Sequence, residues 1–206
     1  MNVVISGTVG AGKSTVSELL AKKLNYNVMI EPAETNPYLE GYYNDTKNFA
    51  FKMQIYMLMI RSKQLKNMIL KDNIIFDRSI IEDPVFVEVL REQGNFNDID
   101  YQTYYDFYNN VMKSTLYFDP VLKPDLIVYL KISTDNAIKR INNRGRESEL
   151  STGYDYWDLL NKKYEDWYLK NKNDLNFLVI DVNNKTPEEI VKTITLELKK
   201  KKYILL

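Results

Sequence analysis

The segment Gly7-Thr8-Val9-Gly10-Ala11-Gly12-Lys13-Ser14-Thr15 constrains this chain more than any other. Two glycines spaced by four residues are followed by Lys-Ser. They stand directly behind a short apolar, β-branched stretch, Asn2 to Ser6, and ahead of an amphipathic run from Lys13 to Leu24. Strand, glycine turn and helix in that order make a phosphate loop rather than an ordinary turn. Glycines let backbone N–H groups face inward around phosphate oxygens, Lys13 adds a point charge, and the Ser14 hydroxyl at the helix N-terminus is a ligand for magnesium. Residues Gly7 to Thr15 are therefore expected to bind the phosphates of a nucleoside triphosphate.

The same grammar recurs along the chain. Val28 to Glu31, Ile74 to Asp77, Leu126 to Lys131 and Phe177 to Asp181 read as four further strands with little polar alternation. Strands apolar on both faces and separated by helical stretches predict an α/β three-layer sandwich around a five-stranded parallel sheet. Helical patterns run over about Lys47 to Leu70, Asp83 to Glu92, Ile99 to Tyr117, Thr134 to Asn143 and Asp155 to Lys170. A last one begins near Pro187, with Glu188 and Glu189 in its first turn, and ends in Lys199 to Lys202, which suits the helix macrodipole. The excursions between the second and fourth strands are long for simple crossovers, so part of their apolar surface is expected in a helix bundle beside the sheet or between subunits. No linker or repeat divides the sequence, and residues 1–206 read as one domain.

Composition narrows the chemistry. There is no Cys and no His, which removes disulfides, cysteine nucleophiles, thiolate zinc sites and the imidazole base. Proton transfer falls to Asp, Glu, Lys or Tyr. Lys and Arg balance Asp and Glu at 28 each, so no global basic field draws the chain to nucleic acid, and no nucleic-acid partner is expected. Met1 to Ser6 lead straight into the glycine turn, leaving no room for a signal peptide. No apolar run approaches the roughly 18 to 20 residues that span a bilayer. A soluble, cytoplasmic protein without a membrane partner is the expectation.

At the C-terminal ends of the second and third strands stand Glu31-Pro32 and Asp77-Arg78-Ser79, on the sheet edge where open α/β sheets place their ligands. Glu31 can accept a proton from an attacking hydroxyl. Asp77 can hold magnesium directly or through water, or merely cap backbone N–H groups, and Arg78 can offset charge on a transferred phosphoryl group. Positive charge is otherwise carried overwhelmingly by Lys; the arginines are Arg61, Arg78, Arg91, Arg140, Arg144 and Arg146. Positions that keep Arg are candidates for bidentate recognition of phosphate or carboxylate. Arg140, Arg144 and Arg146 cluster before the loop Ser148 to Gly153, so residues 140–153 read as a lid over phosphates; dipole complementation at a helix C-terminus is the alternative. Asn171-Lys172-Asn173-Asp174 imitates a guanine-reading motif, but it precedes a strand instead of following one.

In this order and spacing the chain resembles the deoxynucleoside kinase family over nearly its whole length. The carriers are the phosphate loop, Glu31-Pro32, Tyr43 followed by Gln54 and Arg61, Asp77-Arg78-Ser79 followed by Asp83, and Arg140-x-x-x-Arg144-Gly-Arg146 followed by Glu149. The resemblance implies transfer of the γ-phosphate of ATP, with Mg2+, to the 5′-hydroxyl of a deoxyribonucleoside. It implies Glu31 as base, Arg78 at the transferred phosphate, Tyr43 and Glu149 on the sugar 3′-hydroxyl, and Gln54 on the base edge. Each role suits its residue: an amide offers donor and acceptor together, and a tyrosine with a carboxylate holds a sugar hydroxyl at a fixed distance from the phosphates.

Arg61 and Asp83 sit where relatives that accept purines or deoxycytidine carry a charged pair facing the base. Donors and acceptors side by side suit adenine, guanine or cytosine better than thymine with its methyl group. Deoxyadenosine is the expected substrate, with deoxyguanosine and deoxycytidine as further ones and Phe86 as a stacking partner. A homodimer, and feedback inhibition by a deoxynucleoside triphosphate whose base takes the acceptor pocket and whose phosphates take the donor loop, are implied by the resemblance alone. Two alternatives stay open here: thymidylate or another nucleoside monophosphate kinase, which needs a further cation site for the acceptor's phosphate, and a nucleotide sensor without turnover.

Overall fold

A computed structural model describes residues 1–30, 36–68, 73–113, 123–201 and 203. The chain divides into two compact units, Met1–Glu31 with Lys71–Arg78 and Pro124–Leu206, and Pro32–Leu70 with Ser79–Lys123.

The first unit holds the sheet. Its strands are β1 (Asn2–Ser6), β2 (Asn27–Met29), β3 (Ile74–Asp77), β4 (Leu126–Lys131) and β5 (Phe177–Asp181), in the spatial order β2-β3-β1-β4-β5. Every pairing is parallel, as the apolar runs predicted. Side-chain alternation along a strand makes the layers. Val3 and Ile5 of β1 and Val128 and Leu130 of β4 join an aliphatic core with Val16 and Leu20 of α1 (Lys13–Leu24) and Ile190 and Ile194 of a C-terminal helix, Pro187–Lys200. On the opposite face Tyr129 of β4 stacks on Tyr164 of the helix Tyr154–Asn171, and Phe177 of β5 meets Trp167 edge-on. The three central strands are buried on both faces, whereas β2 and β5 are partly exposed because they form the sheet's edges.

The second unit is helical: α2 (Leu39–Asn44), α3 (Thr46–Met68), a 3-10 turn (Ile80–Glu82), α4 (Pro84–Glu92), α5 (Asp98–Phe107) and a π-helical continuation, Tyr108–Lys113. Helix α2 is absent from the sequence reading. It is short and ends at Asp45, whose side chain accepts from the Asn48 backbone and so opens α3. Gly41 lies so close to Phe49 that a Cβ there would stand 2.5 Å from the ring. The core of this unit is rich in aromatic residues and methionine, including Tyr42, Met53, Met57, Phe96 and Tyr104.

Three helices complete the first unit: α6 (Thr134–Arg144), α7 (Glu147–Leu150) and α8, the Tyr154–Asn171 helix already met; the C-terminal helix is α9. Ser133 caps α6 through its hydroxyl, one residue before the expected Thr134, and Thr186 with Glu189 closes a capping box on α9. Asn171 ends α8 and donates to the Trp167 carbonyl, and Lys172-Asn173-Asp174 form the turn between that helix and β5. Among the described residues no helix is long and apolar enough to cross a membrane.

Candidate active site

The phosphate loop joins β1 to α1. Gly7, Gly10 and Gly12 all take positive φ, and at two of them the requirement is steric as well. A Cβ on Gly7 would stand 2.7 Å from the Leu130 carbonyl oxygen, and one on Gly10 would stand 2.5 Å from that of Ala137. The loop is therefore wedged between β4 and α6 with no room for side chains there. Thr8 and Ala11 are buried along it, Val9 is partly exposed, and Lys13 is buried with its ammonium donating to the Thr8 carbonyl at 2.8 Å. Ser14 and Thr15 stand exposed in the first turn of α1.

Parallel pairing of β1 with β3 sets Ile5 opposite Asp77, so the strand end bearing Asp77 and Arg78 lies beside the loop. The Ser14 hydroxyl donates to Asp77 Oδ2 at 2.5 Å. Asp77 Oδ1 is buried with no hydrogen-bond partner among the described residues. A hydroxyl and a carboxylate with an orphaned oxygen, at the mouth of a phosphate loop, form a hard-oxygen donor set suited to magnesium. Among the described residues no three His, Cys, Asp or Glu side chains gather as an all-protein metal cage. A cation here would complete its shell from water or phosphate oxygens.

Arg78 is buried and takes φ of 68°, a conformation uncommon outside glycine. Its guanidinium donates to the Tyr164 hydroxyl and so lies at the hydroxyl edge of that ring, with Cζ 5.8 Å from the centroid. The Glu31 expected as base lies outside the described residues.

The three expected lid arginines have separate occupations. Arg140 donates to the Val182 carbonyl at 2.6 Å and to the Ala11 carbonyl of the phosphate loop at 3.3 Å, and burial pulls its guanidinium below its usual pKa. Arg144, in the last turn of α6, pairs with Glu149, and Arg146 approaches the same carboxylate at 3.6 Å. Between them Gly145 takes the left-handed C-cap conformation. The expected loop from Ser148 begins as the single turn α7, and Glu149 is buried under its arginine partners.

A cavity of about 350 Å³ opens on the outer side of the loop, against Gly12, Arg140, Arg144, Lys185, Pro187 and Ile190. Its floor is phosphate loop and its walls are α6 and the start of α9. Lys185 and Ile190 escaped the sequence reading, and Pro187 was read there only as the start of a helix.

In the helical unit, Arg61 of α3 and Asp83 pair as a buried ion pair, each with well under a tenth of its surface exposed. Asp83 occupies the N-cap position of α4 without capping it, which leaves its carboxylate to Arg61. Gln54, two turns before Arg61 on α3, is also buried; Phe86 is partly exposed and Tyr43 is exposed. Tyr104 lies wholly buried with its hydroxyl unpartnered among the described residues, and burial raises its pKa well above normal.

The chain as a whole has counterparts among known proteins. The family profile described as Deoxynucleoside kinase matches residues 3–201. A deoxyadenosine/deoxycytidine kinase of Bacillus subtilis (strain 168) is 38% identical over 167 residues, covering 80% of this chain and 75% of its own length. A deoxyguanosine kinase of Lactobacillus acidophilus is 38% identical over 172 residues, 82% of this chain and 75% of its own. The solved structure of a deoxyadenosine kinase from M. mycoides with bound dCTP superposes with a TM-score of 0.87 at 48% identity, over 97% of this chain and 100% of that one. Matched by that profile along almost its entire length, the chain belongs to the deoxynucleoside kinase family.

Proposed function

We propose that this deoxynucleoside kinase transfers the γ-phosphate of ATP to the 5′-hydroxyl of deoxyadenosine, and accepts deoxyguanosine and deoxycytidine. The observation that carries the choice of base is the buried Arg61–Asp83 pair. A guanidinium and a carboxylate in one dry place offer fixed donors and acceptors, which match amino groups and ring nitrogens and leave a thymine methyl against charge. Relatives named for adenine, guanine and cytosine deoxynucleosides support the same reading. Gln54 would add an amide to the base edge, Phe86 a stacking surface, and Tyr43 with Glu149 a hold on the 3′-hydroxyl. Glu149 would have to divide itself between the sugar and its arginines.

Transfer follows from the residues at hand. Glu31 takes the proton of the 5′-hydroxyl as its oxygen attacks the terminal phosphorus, and the leaving diphosphate stays in the loop held by backbone N–H groups and Lys13. Arg78 offsets charge on the phosphoryl group as it moves. Arg144 and Arg146 release Glu149 in part to meet donor phosphates, while Arg140 braces the loop. Ser14 and Asp77 would hold Mg2+, which supplies charge neutralisation at the donor's phosphates. The protein acts in the cytoplasm as a homodimer in nucleotide salvage, and a deoxynucleoside triphosphate, carrying base and phosphates together, inhibits it.

A steady-state panel of the four deoxynucleosides with MgATP tests the choice of base. Deoxyadenosine should give the highest kcat/KM, with thymidine last; thymidine in first place overturns the reading of the charged pair.

A further inference from the structure

We infer that Tyr164 is a positioning residue for Arg78, holding its guanidinium in the orientation that the transferred phosphoryl group requires. The inference rests on the reading of Arg78 given above and extends it to a residue in the middle of α8. Arg78 begins from a left-handed backbone at the end of β3, so its side chain leaves the sheet along a path that few arginines take. The backbone fixes the start of that path, and Tyr164 meets its end, where the phenol oxygen accepts from Nη1. With the backbone fixed at one end and Nη1 held at the other, rotation of the guanidinium plane is restricted.

Tyr164 is itself immobilised. It is wholly buried, stacked on Tyr129 of β4 at an interplanar angle of 16°, and set edge-on against Trp167. Tyrosine also has the right charge for this task. A carboxylate in its place would hold the guanidinium equally well but would add a negative charge, whereas a neutral phenol orients the arginine without one. A phenylalanine would pack in the same aromatic ladder without the oxygen, so the hydroxyl is what the packing does not require.

The experiment is a cycle of Tyr164→Phe, Arg78→Lys and the double variant, assayed with deoxyadenosine and MgATP. Tyr164→Phe should lower kcat roughly ten- to a hundredfold, the worth of one hydrogen bond to a charged group, with little change in the deoxyadenosine KM. Its melting temperature and ATP affinity should match the wild type. The double variant should be no slower than Arg78→Lys alone, because the hydroxyl acts only through that arginine. Wild-type kcat in Tyr164→Phe, losses that multiply in the double variant, or a Tyr164→Phe protein that unfolds would each overturn the inference and leave the hydroxyl a feature of the fold. Should Arg78→Lys itself retain full kcat, the reading of Arg78 fails instead, and the cycle shows which of the two has failed.

Discussion

The two units of this chain handle charge in opposite ways. In the first, the core around α1 is aliphatic, Val, Ile and Leu, and the phosphate loop presents backbone, through three positive-φ glycines, beside one lysine whose ammonium already binds a carbonyl of its own loop. In the second, the core is built largely of Tyr, Phe and Met, and charge is carried by side chains, an arginine and a carboxylate paired in the interior. A backbone cradle accepts any phosphate, because N–H groups have no base to read. A side-chain pair costs desolvation of two ions, which discrimination between ligands can repay. On the function proposed above, the unit that holds triphosphate is generic, and the unit that chooses a base is particular.

The largest effect should come from the chemistry itself. Glu31→Gln should keep ATP affinity and lose on the order of 10² to 10⁴ in kcat, the usual worth of a positioned base; calorimetry with ATP beside an initial-rate assay separates the two. Undiminished turnover would remove Glu31 from the mechanism.

Next in size is the buried pair. Asp83→Ala takes the carboxylate away from a buried Arg61, and chemical denaturation should register a loss of about 3–5 kcal/mol, while replacing both residues by apolar ones of similar volume should return most of the stability but not the base preference. If the double replacement keeps the wild-type ranking of deoxynucleosides, the pair is structural and the contrast between the units dissolves.

A smaller effect is expected from the loop. Gly10→Ala adds a Cβ that would sit 2.5 Å from the Ala137 carbonyl oxygen at a φ of 82°, and strain of about 1–3 kcal/mol should appear as weaker ATP binding with the order of deoxynucleosides unchanged. A changed order would mean that the loop does read the base.

The smallest effect concerns a surface pair in the first unit. Asp158 accepts from Lys162 at 2.7 Å and from the Thr134 hydroxyl at 2.9 Å, and the Lys162 hydrogen bond, ahead of the Thr134 one, holds its carboxyl below the usual aspartate value. A folded pKa below the unfolded one contributes stability above the unfolded pKa and loses it as pH falls through the folded one. Asp158→Asn should therefore cost no more than about 1 kcal/mol at neutral pH, and the difference should shrink in acid. A cost as large as that of Asp83→Ala would erase the distinction between buried and exposed pairs.

How much of this was readable from sequence follows from how local each signal is. The phosphate loop is contiguous, so spacing and flanking elements sufficed, and the strands announced themselves as unbroken apolar runs. Arg61 and Asp83 are not neighbours in sequence, and nothing in either local pattern says that they meet; only the family resemblance did. The cavity wall at Lys185 and Ile190 depends on where α9 docks after β5, which no periodicity encodes. Tyr164 was hidden for a different reason: in a chain with 16 tyrosines, one more on an aromatic helix looks like packing until its oxygen is seen against Arg78.

One measurement bears most directly on the claim that a neutral sugar alcohol is the acceptor. The enzyme is given MgATP and equal amounts of deoxyadenosine and dAMP at limiting conversion, with the products resolved by mass. Accumulation of dAMP from deoxyadenosine with no dADP is the predicted result; dADP formed in preference, from an acceptor that already carries a phosphate, would contradict it.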